Sequence, residues 1–145
     1  MEERRLYKRI KNEIAVQLKL LGMPRSHTAV DAITSNVSHE GLLIELDVFV
    51  HNHGFFLKAG EESISLMPFL ILNEKMVDLS MVMPLGGDTI KAIGRVVWYD
   101  FSSKGASFHF EVGVLLEEME TTDWEKWNAF VSNVAEKQDK DFRSV

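Results

Sequence analysis

The chain has 145 residues, of which 46% are apolar and 26% charged, and it contains no cysteine. That length and balance fit one globular domain with its own core, and they exclude a disulfide framework, thiolate chemistry and global disorder. The formal charge of −6, from 22 acidic and 16 basic side chains, argues against a nucleic-acid polymer as ligand, since such binding rests on many phosphate contacts from a basic surface.

No apolar run approaches the roughly 18 residues of a spanning helix, and the first residues are charged where a secretion signal is apolar, so a cytoplasmic protein without membrane insertion is expected. The positive charge is concentrated at the start, in Arg4, Arg5, Lys8, Arg9 and Lys11. The acids gather near the other end, in Glu117, Glu118, Glu120, Asp123 and Glu125. Guanidinium forks match phosphate oxygens and the guanine O6/N7 edge bidentately, so the basic cluster suits a small anionic ligand. Alone, an arginine pair four residues apart is more often solvated surface charge.

After the cluster, Ile14, Val16, Leu18 and Leu20 alternate with Ala15, Gln17 and Lys19, the period of a half-buried strand, and Gly22-Met23-Pro24 turns the chain. A second extended segment runs over 28–34. The polar stretch Ser35 to Gly41 reads as a tight loop, and Leu42, Ile44 and Leu46 begin a third strand. Between Asp47 and Met67 the pattern is irregular, with short strands expected at 55–57 and 64–66. Val77, Leu79, Met81 and Met83 form the next strand, and Pro84-Leu85-Gly86-Gly87-Asp88 turns it into a partner over 90–99 in which Gly94 marks a bulge or a close backbone approach. Phe108, Phe110, Val112, Val114 and Leu116 make the last strand.

Many short strands without strand-helix alternation predict an antiparallel barrel or sandwich. The chain then changes character. Thr122-Asp123-Trp124-Glu125 fits a capping box, and Trp124, Trp127, Val131 and Val134 recur at helical spacing, predicting one amphipathic helix over 122–136 and a polar tail over 137–145.

Asn36-x-Ser38-x-x-Gly41 combines an amide that donates and accepts, a rotatable hydroxyl, and a glycine that lets backbone approach closely. By itself it also fits an Asx or ST turn that caps a strand. In this order with Arg5-x-x-x-Arg9, and followed by Gly94-Arg95-Val96-Val97-Trp98 and Glu111-Val112-Gly113-Val114, it resembles the PilZ domain, the receptor module for cyclic di-GMP. The likeness runs from about Arg4 to Val134.

The resemblance implies a mainly β protein, a six-stranded antiparallel β-barrel with a C-terminal α-helix, occupying 1–145 as one domain: a ligand-binding arm over 1–12, the barrel over 13–118, then the helix and tail. It further implies that Arg5 and Arg9 stand for the family's paired arginines, and Asn36, Ser38 and Gly41 for its second signature. Arg4 occupies the preceding position, where members differ and the side chain influences whether one ligand or a stacked pair binds. Trp98 is a candidate stacking surface, although packing is the more ordinary role for such a residue. The chain departs from the family in a longer 47–67 segment and in Leu115-Leu116, where an aromatic is common.

The expected function is therefore that of a non-enzymatic cyclic di-GMP receptor without other cofactor, changing conformation to signal to a protein target. The alternative is an interaction scaffold with the same barrel that binds no nucleotide. No metal site is expected: His51 and His53 lack an obvious third ligand and read as solvated loop histidines. Gly86-Gly87-Asp88 reads as a hairpin turn.

Overall fold

The computed structural model describes residues 10–11, 13–20, 29–59, 61–65, 75–84, 87–104 and 107–143. Among these described residues nine strands and one helix follow in chain order: β1 (Ile10–Lys11), β2 (Ala15–Leu20), β3 (Val30–Val37), β4 (Gly41–His51), β5 (Gly54–Ala59), β6 (Glu62–Ser65), β7 (Met76–Val82), β8 (Thr89–Lys104), β9 (Ser107–Met119) and α1 (Thr121–Arg143). Every strand pairing is antiparallel.

Six strands close on themselves. The ladder runs β3-β2-β7-β8-β9-β4, and β4 pairs back onto β3, so the sheet closes into a barrel. The other three strands are additions. β1 pairs with the end of β3 beyond the part that β2 occupies, and β5 and β6 extend the sheet from the far half of β4. The irregular 47–67 segment is thus explained in part: β4 runs on to His51, a two-residue turn at Asn52 and His53 with positive φ reverses it, and β5 and β6 follow.

Alternation of side chains places the core inside the barrel. Ile14, Val16 and Leu18 are buried while Glu13, Ala15 and Gln17 are exposed. The same parity buries Leu42, Ile44 and Leu46 on β4, Val77, Leu79 and Met81 on β7, and Phe110, Val112, Val114 and Leu116 on β9. Leu116 faces inward and Leu115 outward, which fixes the register at the position where an aromatic is common in the resembling family. The single buried polar residue of the described core, Thr34, accepts the Ile14 N–H at its Oγ1 (2.9 Å) while its own N–H bonds Ile14 O (3.0 Å).

Three expectations need correction. The segment 35–41 is not all loop: β3 continues through Val37, with a bulge between Thr34 and Asn36, and only 38–40 connect it to β4. The helix starts at Thr121 and its cap lies two residues before Thr122, because the Trp124 N–H bonds the Glu120 carbonyl and so makes Glu120 the cap and places Thr122 inside the first turn. It also runs to Arg143, through most of the stretch expected as tail. Gly94 marks a bulge, as expected: the β8–β9 register shifts between Ile93 and Gly94. β7 and β8 likewise form a hairpin, closed by Met83 N–H to Asp88 O (2.8 Å), with Gly87 at φ 68°; Leu85 and Gly86 of the expected turn lie outside the described residues.

α1 lies against the barrel with Trp127 and Val131 fully buried and Trp124, Phe130, Val134 and Ala135 packed beside them. Among the described residues no helix is long and apolar enough to cross a membrane.

Candidate functional site

The connection Ser38 to Glu40 is built by the signature itself. Ser38 N–H bonds Gly41 O (2.9 Å), its hydroxyl donates to the same carbonyl (3.2 Å), and it accepts the Gly41 N–H (3.1 Å). The serine and glycine therefore close a tight β-hairpin. Gly41 is required there because a Cβ would collide with the Val114 carbonyl oxygen of the neighbouring strand. Both residues thus have a structural role that stands whether or not a ligand binds.

Asn36 is differently placed. Val37 is buried, so its neighbour Asn36 lies on the outer face, half-buried beside the bulge. Residues paired across strands share a face, and following the pairs outward from Asn36 gives one row: Asn36 opposite Leu43, Leu43 opposite Gly113, Gly113 opposite Trp98. The row has a flat centre. A Cβ at Gly113 would strike the Trp98 indole, so the ring lies over the glycine. Half-buried Trp98 is thus a platform on the same surface as Asn36.

One row nearer the loop, Gly41 is opposite Leu115 and Leu115 opposite Arg95. Arg95 is 41% exposed, and its Nη2 lies 2.6 Å from Glu117 Oε1. One row further away stand three carboxylates in register: Glu45 opposite Glu111 and Glu111 opposite Asp100. An anion on this surface is consequently repelled from the acidic row, while toward the loop the charge of Arg95 is already paired with Glu117.

The start of the chain arrives at the same place. Ile10 pairs with Val37 and Lys11 with Asn36, so the described chain begins in register with the signature residue. Arg4, Arg5 and Arg9, which precede it, lie outside the described residues. Asn36, Ser38, Gly41 and Trp98 are brought within one patch of outer surface.

The chain matches no protein-family model and no curated protein sequence. Its fold does match solved structures. The PilZ domain of YcgR from Escherichia coli, solved with c-di-GMP, superposes with a TM-score of 0.61 at 10% identity, over 99% of this chain and all of that one (100%). The chain has a PilZ-like fold. The inhibitor of motility MotI/DgrA from Bacillus subtilis gives a TM-score of 0.58 at 14% identity over 94% of this chain, and the Borreliella burgdorferi PlzA protein in complex with c-di-GMP gives 0.51 at 8% over 93%. The PilZ-like chain spans about half of each of these two proteins, 52% and 46%.

Two features of this PilZ-like barrel have no local signal in the sequence. Arg95 belongs to the Gly94–Trp98 motif, but only the register shows that it shares a face with Trp98 and Gly41. The Glu45–Glu111–Asp100 row unites residues from three strands, and nothing local in the sequence marks it. His51 and His53 do not share a strand face: His51 ends β4 and His53 sits in the turn at φ 63°. Among the described residues no group of three His, Cys, Asp or Glu side chains is arranged to hold a metal ion.

Proposed function

We propose that this protein is a cytoplasmic, non-enzymatic receptor for cyclic di-GMP that signals to a protein target. Arg5 and Arg9, with Arg4 beside them, supply the guanidinium contacts, and the barrel supplies Asn36 and Trp98 on a surface shaped by Ser38 and Gly41. The observation that carries this reading is the pairing of β1 with the end of β3, which sets Lys11, two residues after Arg9 in the sequence, opposite Asn36. The ligand has two phosphates and two guanines. Arginine pairs with the first and forks onto or stacks against the second, and an indole face accepts a base.

Calorimetric titration with cyclic di-GMP tests the assignment. The wild-type protein gives saturable heat, with affinity falling as salt rises because the ligand is a dianion. The Arg5→Ala, Arg9→Ala double variant loses at least tenfold in affinity, in line with two charge-assisted contacts of roughly 1.5–3 kcal/mol each. Unchanged affinity in that variant would remove the arginines from the site.

A second reading, a PilZ-like interaction scaffold that binds no nucleotide, is favoured by one observation: the Ser38 hydroxyl and Gly41 are engaged with each other in closing the turn. On that reading the signature persists as architecture, and the wild-type titration is flat.

A further inference from the structure

The three residues that join β3 to β4 are each held from outside their own hairpin. Trp127 on α1 is fully buried, and its Nε1–H donates to the Ser38 carbonyl (3.1 Å). Asn128, the next residue on the helix, has Oδ1 2.9 Å from His39 Nδ1, where the Nδ1–H tautomer donates to the amide oxygen. The Glu40 carbonyl accepts the Leu116 N–H of β9 (2.7 Å). Two of the three restraints therefore come from the second turn of the helix, and both end on the connection that lies between Asn36 and Gly41.

The helix is in turn seated by contacts independent of that connection. Val131 is buried in the core cluster, and Lys126 Nζ lies 3.7 Å from Asp88 Oδ2. Asp123 Oδ2 accepts the Lys91 N–H at 3.4 Å. The loop is thus suspended between a rigid barrel strand and a helix whose position is set elsewhere.

We infer that Trp127 and Asn128 are positioning residues of the ligand surface, acting through Ser38 and His39, so that ligand binding and seating of α1 form one coupled equilibrium. The inference rests on the cyclic di-GMP reading above. Coupling is reciprocal: whatever factor a seated helix adds to ligand affinity, ligand adds to helix seating. The helix then carries the bound state to a surface on the outside of the barrel.

Two substitutions separate positioning from packing. Trp127→Phe keeps a ring in the core and removes the N–H donor. Asn128→Ala removes an exposed amide, so its effect on the melting temperature is small. Titrated with cyclic di-GMP, each loses roughly three- to tenfold in affinity, the worth of one hydrogen bond. In the wild type, ligand slows amide exchange over 124–131, and Asn128→Ala abolishes that slowing while its ligand-free exchange stays near wild type. A double-mutant cycle with His39→Ala adds no further loss to that of Asn128→Ala. If both single variants bind as tightly as wild type and ligand leaves exchange in α1 unchanged, the helix is packing alone and the positioning role is overturned. A wild-type protein that binds no cyclic di-GMP overturns the receptor reading and this coupling together.

Discussion

Two glycines show how single positions decide the shape of this surface. At Gly41 the obstacle is backbone: a Cβ meets the Val114 carbonyl oxygen, which moves only with the whole of β9. Gly41→Ala is expected to destabilise the protein by about 1–3 kcal/mol, the usual cost of overpacking, read from chemical denaturation. At Gly113 the obstacle is the Trp98 side chain, which can swing away. Gly113→Ala should therefore change stability less than Gly41→Ala does and lower ligand affinity more, as measured by denaturation and titration on the same samples. Equal effects of the two substitutions on both quantities would mean that Trp98 takes no part in binding. Glu111 makes the opposite prediction. It stands between Glu45 and Asp100, and like charges directly opposite one another destabilise a sheet. Glu111→Gln should raise stability by about 0.2–1 kcal/mol, a gain that shrinks in high salt; a loss on denaturation would show that the carboxylate has a partner of greater value.

At the scale of elements, the sequence was most readable where one face is buried and the other wet. The alternation at 14–20, 77–83 and 108–116 identified strands because the barrel interior accepts every second side chain. The helix was equally plain, since Trp127 and Val131 fall on one stripe. What the sequence concealed has a common cause. Asn36 and Ser35 look like loop residues because a bulge lets polar side chains sit in a strand, and α1 outruns its apolar stripe because backbone hydrogen bonding carries it on. The cap was misplaced because Thr122 and Glu125 have the right spacing, whereas the bond that begins the helix comes from the Glu120 carbonyl. Trp127 was legible as core, but the partner of its N–H was not. Trp127→Ala removes both, and is expected to cost about 3–5 kcal/mol in chemical denaturation, the range for emptying a large aromatic site.

The whole molecule is dominated by pairings between distant parts of the chain. Gly41 pairs with Leu115 and Val16 with Met81, and closure of the barrel waits on such contacts. Loop-closure entropy must be overcome before these pairs contribute, so refolding from denaturant should occupy milliseconds to seconds, well above the microsecond range of local helical folds. Stopped-flow fluorescence of Trp98, Trp124 and Trp127 measures it. The candidate site was legible from sequence only as separate motifs. Their meeting depends on the β3–β4 and β8–β9 hairpins and on the long-range ladder of β4 with β9 that joins them, and no local pattern specifies which outward residue of one hairpin faces which of the other.

The placement of β1 has a mechanical consequence. It contributes two residue pairs to β3, whereas closure of the barrel depends on the separate ladders of β2 and β4 with that strand. Between β1 and β2, the paired hydrogen bonds of Ile14 and Thr34 form a stop. Loss of β1 would therefore leave the ladders of the wall intact, and it would uncover the backbone edge of Asn36 and Val37 at the expense of the contacts that β1 makes with α1.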